Sequence, residues 1–302
     1  MTQHTLKIAC LSGKGGAGKT FVSVNLAVAA AAAAGTATYI DCDVEEPNGR
    51  LFLKPQDIQT REVCSLLPRF DAESCTGCRE CVRFCRFHAL VYIKDKPLLL
   101  PEMCHSCGGC SMVCPAEAVS EAPKRIGTVE TGVRGIGECG IVRAVTGVLD
   151  AGEASGMPVI KAALDQAEGT TIIDCPPGSA CSVMESAMDA DYCILVAEPT
   201  AFGFHNFKMV HELAHLFGRK CGVIINKQDA PFEPLEAYCA ENNLEILARI
   251  PYDANTAAEI ADGHIASESS EQMRHLFRSI LKRIGEAAGE NATDAENQGV
   301  TA

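Results

Sequence analysis

Short apolar runs alternate with longer helical ones along most of the chain. Leu6 to Leu11 reads as a buried strand, and the Ala/Val-rich stretch Phe21 to Ala34 as a helix. The strand pattern returns at Ala37 to Ile40, Thr171 to Asp174, Tyr192 to Val196, Cys221 to Lys227 (a strand and its loop) and Ile246 to Ile250. Between these lie a helix end at Lys161 to Ala167, an amphipathic helix at Phe207 to Phe217 and another helix at Leu235 to Asn242. Strands that alternate with helices predict an α/β fold with a mainly parallel sheet and helices on both faces. Right-handed crossovers then bring the strand-end residues to one edge.

The alternation lapses between Val63 and Pro123, where the composition changes, and resumes afterwards, which marks an inserted domain. The Gly-rich segment Ile126 to Gly156 resists assignment, and Val133 to Gly140 reads as a loop. The expected division is 1–62 and 124–288 for the two parts of the main domain, 63–123 for a small α+β insert, and 289–302 for a polar, disordered tail. The last helix, Ser269 to Ala288, carries Met273, Leu276, Phe277, Ile280, Leu281 and Ile284 on one face, with arginines and lysines around it. A helix that covers the sheet is preferred to one that lies on a membrane surface.

Composition narrows the function classes. A net charge of -13 argues against the basic surface that nucleic acids select. The run Leu26 to Ala34 is too short to span a bilayer, so membrane contact is not expected. No leader pattern precedes the first strand, which points to the cytoplasm. In a reducing compartment, 17 cysteines signal metal or redox chemistry rather than disulfides.

Two motifs carry that chemistry. Gly13-Lys14-Gly15-Gly16-Ala17-Gly18-Lys19-Thr20 lies between the first strand and the first helix, the context of a phosphate-binding P-loop. Backbone N–H groups and the helix N-terminus cradle phosphates, Lys19 reaches the outer ones, and Thr20 ligates magnesium. Two acids, Asp41 and Asp43, end the second strand; Asp174 ends a later one. The second motif is the repeated spacing Cys75-x2-Cys78-x2-Cys81-x3-Cys85 and Cys104-x2-Cys107-x2-Cys110-x3-Cys114-Pro115. In the bacterial ferredoxin run the fourth cysteine serves the other cluster. One 4Fe–4S cluster is therefore assigned to Cys75, Cys78, Cys81 and Cys114, and the other to Cys104, Cys107, Cys110 and Cys85. Structural zinc is the competing reading, but it gains nothing from a third cysteine per run and a crossed fourth. Arg86 stands where a proline usually follows the first run. Cys10, Cys193 and Cys221 fit buried strands as small hydrophobes, whereas Cys139 and Cys181 fall in loops.

Lys14, directly after the first glycine, makes the loop resemble the deviant Walker A of the MinD/ParA/Mrp class of P-loop ATPases. Asp41-Cys42-Asp43 resembles that class's switch I, Asp174-Cys175-Pro176-Pro177-Gly178 its Walker B and switch II, and Asn226-Lys227 and Pro251-Tyr252-Asp253 its base-side loops. Together with the insert, the chain looks like a MinD-type ATPase carrying a dicluster ferredoxin domain. The resemblance implies ATP and Mg2+ as cofactors beside the two clusters, and a homodimer formed on ATP binding. Lys14 would reach the partner's phosphates, Asp43 would orient the attacking water, Asp174 would hold the magnesium shell and Asn226 would contact adenine. Asn226-Lys227-Gln228-Asp229 also resembles the guanine-reading loop of GTPases; ATP is preferred. Cys139 or Cys181 as ligand to a further cluster, in the manner of the nitrogenase iron protein, is weighed against a free loop thiol, which is favoured. The expected activity is ATP hydrolysis coupled to electron transfer to an unidentified redox partner. The rivals are Mrp-like cluster delivery and MinD/ParA-like spatial positioning.

Overall fold

The computed structural model describes residues 6–298. Strand β1 (Lys7–Leu11) leads into α1 (Lys19–Ala34), β2 (Thr36–Asp41) and the short α2 (Gly49–Leu53). Strand β3 (Gln56–Phe70) opens the insert, which holds α3 (Glu80–Phe84), β4 (Leu90–Ile93), β5 (Lys96–Leu99) and α4 (Gly109–Met112) before β6 (Val119–Ile136) leaves it. The rest is β7 (Gly140–Leu149), α5 (Met157–Leu164), β8 (Thr171–Asp174), α6 (Cys181–Ala187), β9 (Tyr192–Ala197), α7 (Ala201–Leu216), β10 (Lys220–Asn226), α8 (Glu233–Glu241), β11 (Glu245–Ile250), α9 (Ala254–Ala261), α10 (Ala266–Ser269) and α11 (Glu271–Gln298).

Nine strands form one sheet in the order β11-β10-β9-β1-β8-β2-β7-β6-β3. From β11 to β7 every pairing is parallel, and the pairs β7–β6 and β6–β3 are antiparallel. One face packs on α1, α10 and α11 through residues such as Ile8, Leu26, Tyr39, Phe277 and Ile284. The other face packs on α5 to α8 through Leu11, Ile40, Ile160, Leu195 and Phe207. Each such side chain, fully withdrawn from water, contributes about 2 kcal/mol. Helix α1 is buried from Phe21 to Ala31 on nearly all sides, which its alanines permit by letting sheet and helices approach closely. Gly35, at φ 82°, closes it by returning its N–H to the Ala31 carbonyl. The terminal helix lies over α1, with Phe277 edge-on to Phe21, so it covers the sheet as its apolar face predicts.

The edge of the sheet changes character at a bulge between Val63 and Cys64. Before it, β3 and β6 lie in the sheet beside β7; beyond it, Cys64–Phe70 and 119–125 pair only with each other. The insert is thus carried on a two-stranded ribbon continuous with the main sheet. Its β4–β5 hairpin forms a separate small sheet.

Val133 to Gly140 is not a loop. It is the end of β6, a turn at 137–139 and the start of β7, with Ile136 paired to Gly140. Within it Gly140 serves close backbone packing, since a Cβ there would stand 2.8 Å from the Ile136 carbonyl oxygen, whereas Gly135 meets nothing within 4 Å; just before it, a Cβ on Gly132 would stand 2.8 Å from the Gln56 carbonyl oxygen. Gly137, at φ 56°, makes the turn. Of the tail read at 289–302, the backbone to Gln298 continues α11, and 299–302 lie outside the described residues. Among the described residues no helix is long and apolar enough to cross a membrane.

Candidate functional site

Where β1 ends, the chain turns through Ser12 to Gly18 before α1 begins at Lys19. Gly16 and Gly18 take φ of 78° and 95°, open only to glycine at little cost. Gly18 is required twice over, because a Cβ there would lie 2.0 Å from Nδ2 of Asn226. A Cβ on Gly13 would strike the Asn206 carbonyl oxygen of α7 at 2.3 Å. Two side chains at the end of β10 hold the loop from outside. Asn226 Nδ2 donates to the Ala17 carbonyl at 2.9 Å, and Lys227 Nζ to that of Gly16 at 2.7 Å. The loop floors an open cavity of about 1470 Å³ whose walls include Lys14, Thr20, Asp43, Pro177, Pro251 and Tyr252.

Beneath the loop lies a buried charged network. Lys19 Nζ stands 2.6 Å from Asp174 Oδ1, and the Tyr39 hydroxyl donates to Asp174 Oδ2 at 2.8 Å. Burial works against the Lys19 charge, but the carboxylates of Asp174, Asp41 and Asp43 outweigh it and raise its pKa. Asp41 is the register partner of Asp174 on the neighbouring strand. Its carboxylate accepts from the N–H groups of Gly49 at 2.9 Å and Asp43 at 3.2 Å, which ties the end of β2 to the start of α2. Burial, then the charge of Asp174, pushes Asp41 up to about 8. Asp43, half-buried on the cavity wall, is pushed up to about 6, chiefly by burial. One carboxylate is therefore structural and sealed, and the other faces the ligand space.

The eight clustered cysteines sort into two rings. Cys85, Cys104, Cys107 and Cys110 line one cavity; Cys75, Cys78, Cys81 and Cys114 line another. This is the crossed sorting that the spacing predicts. The two halves repeat at an offset of 29 residues, and the backbone follows the cysteines. Left-handed residues occur at Gly77, Arg79 and His88 in the first half and at Ser106, Gly108 and Glu117 in the second. The Leu100 N–H meets the Ala89 carbonyl, and the Asp71 N–H meets that of Ala118, the same contact with the halves exchanged. Backbone N–H groups point at sulfur: Ala118 to Cys114 at 3.3 Å, Val82 to Cys81 and Ser111 to Cys110. Burial, reinforced by the neighbouring thiols, pushes Cys110 up to about 11 and raises Cys81. Among the described residues no three His, Cys, Asp or Glu side chains converge closely enough for a single metal ion. Four soft thiols around a void, with amides aimed at them, fit an iron–sulfur cluster in each ring better than one zinc ion.

Residues 8–265 match the CobQ/CobB/MinD/ParA nucleotide binding domain. The chain belongs to that family. Two uncharacterized proteins of Methanocaldococcus jannaschii are each 25% identical to it, one over 93% of this chain and 97% of its own length, the other over 73% and 79%. Among solved structures, the cell division ATPase MinD of Pyrococcus furiosus aligns with a TM-score of 0.57 at 19% identity, over 94% of this chain and all of that one. The Mg-ADP complex of the septum site-determining protein MinD of Pyrococcus horikoshii gives 0.58 at 19%, over 95% and 98%. These likenesses establish the α/β P-loop fold with its mostly parallel sheet.

Within this CobQ/CobB/MinD/ParA domain, the expected site residues occupy distinct places. Lys19, Thr20, Asp43 and Pro251 share the cavity with Lys14. Lys14 is paired inside its own chain, 2.6 Å from Glu198 Oε2 and above the Phe202 ring. Asn226 lines the cavity from beneath the phosphate loop, with its amide given to Ala17. Asp229 is exposed and does not line the cavity. Sequence reasoning missed Glu198, Phe202 and Tyr39. Glu198 carried a usable signal, as an acid directly after β9 on the edge where ligands bind. Cys139 and Cys181 do not come together: Cys139 precedes β7 at the edge where β2 begins, opposite the phosphate loop, and Cys181 opens α6 after switch II.

Proposed function

We propose that this protein is a Mg2+-dependent ATPase whose nucleotide cycle, run in a homodimer, is coupled to two 4Fe–4S clusters that pass electrons to a partner protein. The observation that carries this reading is the path between the two sites. Asp43 lines the nucleotide cavity, Asp41 beside it holds the start of α2, and α2 runs through Lys54 and Pro55 into β3, the ribbon strand that reaches the cysteine rings. A change at switch I is thereby passed by covalent and hydrogen-bonded structure to the insert.

The chain's own residues divide the work. The N–H groups of the phosphate loop and Lys19 bind the β- and γ-phosphates, Thr20 and Asp174 hold the magnesium shell, and Asp43 orients the attacking water. Lys14 leaves Glu198 to meet the γ-phosphate of a second chain. Nucleotide shifts the dimer only through unequal affinity for its two states, and this exchange of partners supplies the inequality. The two cysteine rings hold the clusters, which supply one-electron chemistry when bound. The base-side contacts come from the Pro251–Asp253 turn, with Asn226 acting on the loop itself.

Anaerobic purification with iron and sulfide counting, followed by EPR of the reduced protein with and without ATP, tests this reading. A nucleotide-dependent change in cluster potential or line shape supports it. Net transfer of iron to an apo-acceptor would favour cluster delivery instead, and clusters indifferent to ATP would favour spatial positioning.

A further inference from the structure

The 29-residue repeat that relates the two cysteine rings also exposes where they differ. Arg79 in the first half corresponds to Gly108 in the second, and Tyr92 corresponds to Glu121. Arg79 and Tyr92 line the cavity of Cys75, Cys78, Cys81 and Cys114. The guanidinium lies over the Tyr92 ring, 4.2 Å from its centroid, and the Tyr92 hydroxyl donates to the Gly77 carbonyl at 3.3 Å. The cation is thus pinned beside the ring of sulfurs. In the other ring the equivalent wall is Glu121, whose Oε1 lies 3.4 Å from the place a Cβ on Gly108 would take. The wall is completed there by Phe84 and by Phe87, stacked on His105 with ring centroids 3.9 Å apart.

We propose that Arg79 and Glu121 set the two cluster sites at different reduction potentials, so that an added electron settles in the Cys75 ring. This rests on the two-cluster reading above. An added electron is a unit of negative charge. Arg79 and the Ala118 amide on Cys114 favour it in one ring, and the Glu121 carboxylate opposes it in the other. The two other arginines near the first cysteine run line neither cavity. Arg83 is ion-paired with Glu80, and Arg86, although next to Cys85, is exposed. Arg79 and Glu121 are themselves exposed, so solvent and salt reduce the effect. A preference of about tenfold, which is 59 mV for one electron, is the expected size. In the exchange one electron leaves the Cys104 ring, which is oxidised, and enters the Cys75 ring, which is reduced; no bond or proton moves.

Position gives this difference a direction. The cavity of the Cys104 ring touches the ribbon at Leu66 and Pro68, and that of the Cys75 ring at Phe70, the last residue of β3. The electron therefore comes to rest at the ring reached last along the ribbon from the nucleotide domain.

The test is an EPR-monitored redox titration of the full-length, anaerobically purified protein. Iron and sulfide are counted first. Fewer than about eight of each per chain would remove the two-cluster reading itself. With both clusters present, two one-electron steps separated by about 59 mV or more are expected. Arg79→Gln should lower only the upper step, Glu121→Gln should raise only the lower one, and the upper step should survive in Cys85→Ala. Coincident steps in the native protein, or survival of only the lower step in Cys85→Ala, would overturn the assignment while leaving the clusters in place.

Discussion

Lys19 and Asp174 neutralise each other at 2.6 Å, both nearly sealed from water. The lysine is thereby held by the acid expected at the magnesium shell, and on the proposed function nucleotide binding would exchange this pair, Lys19 turning to phosphate and Asp174 to the magnesium shell. Removing one member leaves a buried charge shared only with Tyr39. Lys19→Ala is expected to abolish nucleotide binding and also to cost about 3 kcal/mol of stability without nucleotide. Urea denaturation of the nucleotide-free protein measures the second effect, and an unchanged midpoint would show that the pair does not form in solution.

Asp41 predicts a pH dependence. Its folded pKa, near 8, lies above the ordinary value of 3.8, because burial and Asp174 disfavour its charge. Between about pH 4 and 8 the native state therefore holds a proton that the unfolded state has lost, and stability contributed at low pH falls as pH rises through this window. Asp41→Asn should flatten the fall between pH 5 and 8 in denaturation curves taken without nucleotide. An equally steep fall in the variant would place its origin elsewhere.

Lys14 is held by Glu198 before any partner arrives. Lys14→Ala should abolish ATP-dependent dimerisation, as read by light scattering. Glu198→Gln should strengthen it, because an ion pair of this partly exposed kind holds the lysine back by no more than about 1 kcal/mol, or up to about fivefold per chain. A dimer indifferent to both substitutions would exclude the bridging role.

The crossed rings predict an asymmetric outcome of single cysteine substitutions. Cys114→Ala should remove the cluster of the Cys75 ring, although Cys114 lies in the second cysteine run, and the iron content should fall from roughly eight to four atoms. Which signal survives decides the matter. Loss of the cluster held by Cys104, Cys107 and Cys110 would mean that the runs are not crossed.

The phosphate loop was legible because its chemistry is local: glycine spacing between a strand and a helix fixes the backbone that cradles phosphate. The cysteine rings were legible for the same reason, since two-residue turns bring three thiols together. The hairpin at Val133 to Gly140 was not, because glycine is equally at home in a loop and in a paired strand, and only the pairing of β6 with β7 distinguishes them. The bond from Asn226 to the loop was not legible either, because nothing near it in sequence reveals that the carbonyl of Ala17, 209 residues away, accepts from its amide.

By itself, then, the sequence determined the nucleotide loop, the α/β alternation and two cysteine runs of one spacing, all properties of short spacings. Tertiary structure alone decided that Lys14 rests on Glu198, that Asp174 holds Lys19 and Tyr39 together, and that the insert rides on a ribbon continuous with the sheet. It also decided which cysteine ring faces Arg79 and which faces Glu121. Those relations join residues that meet only through sheet order and strand register, and register is set by packing across the whole core rather than by any local pattern.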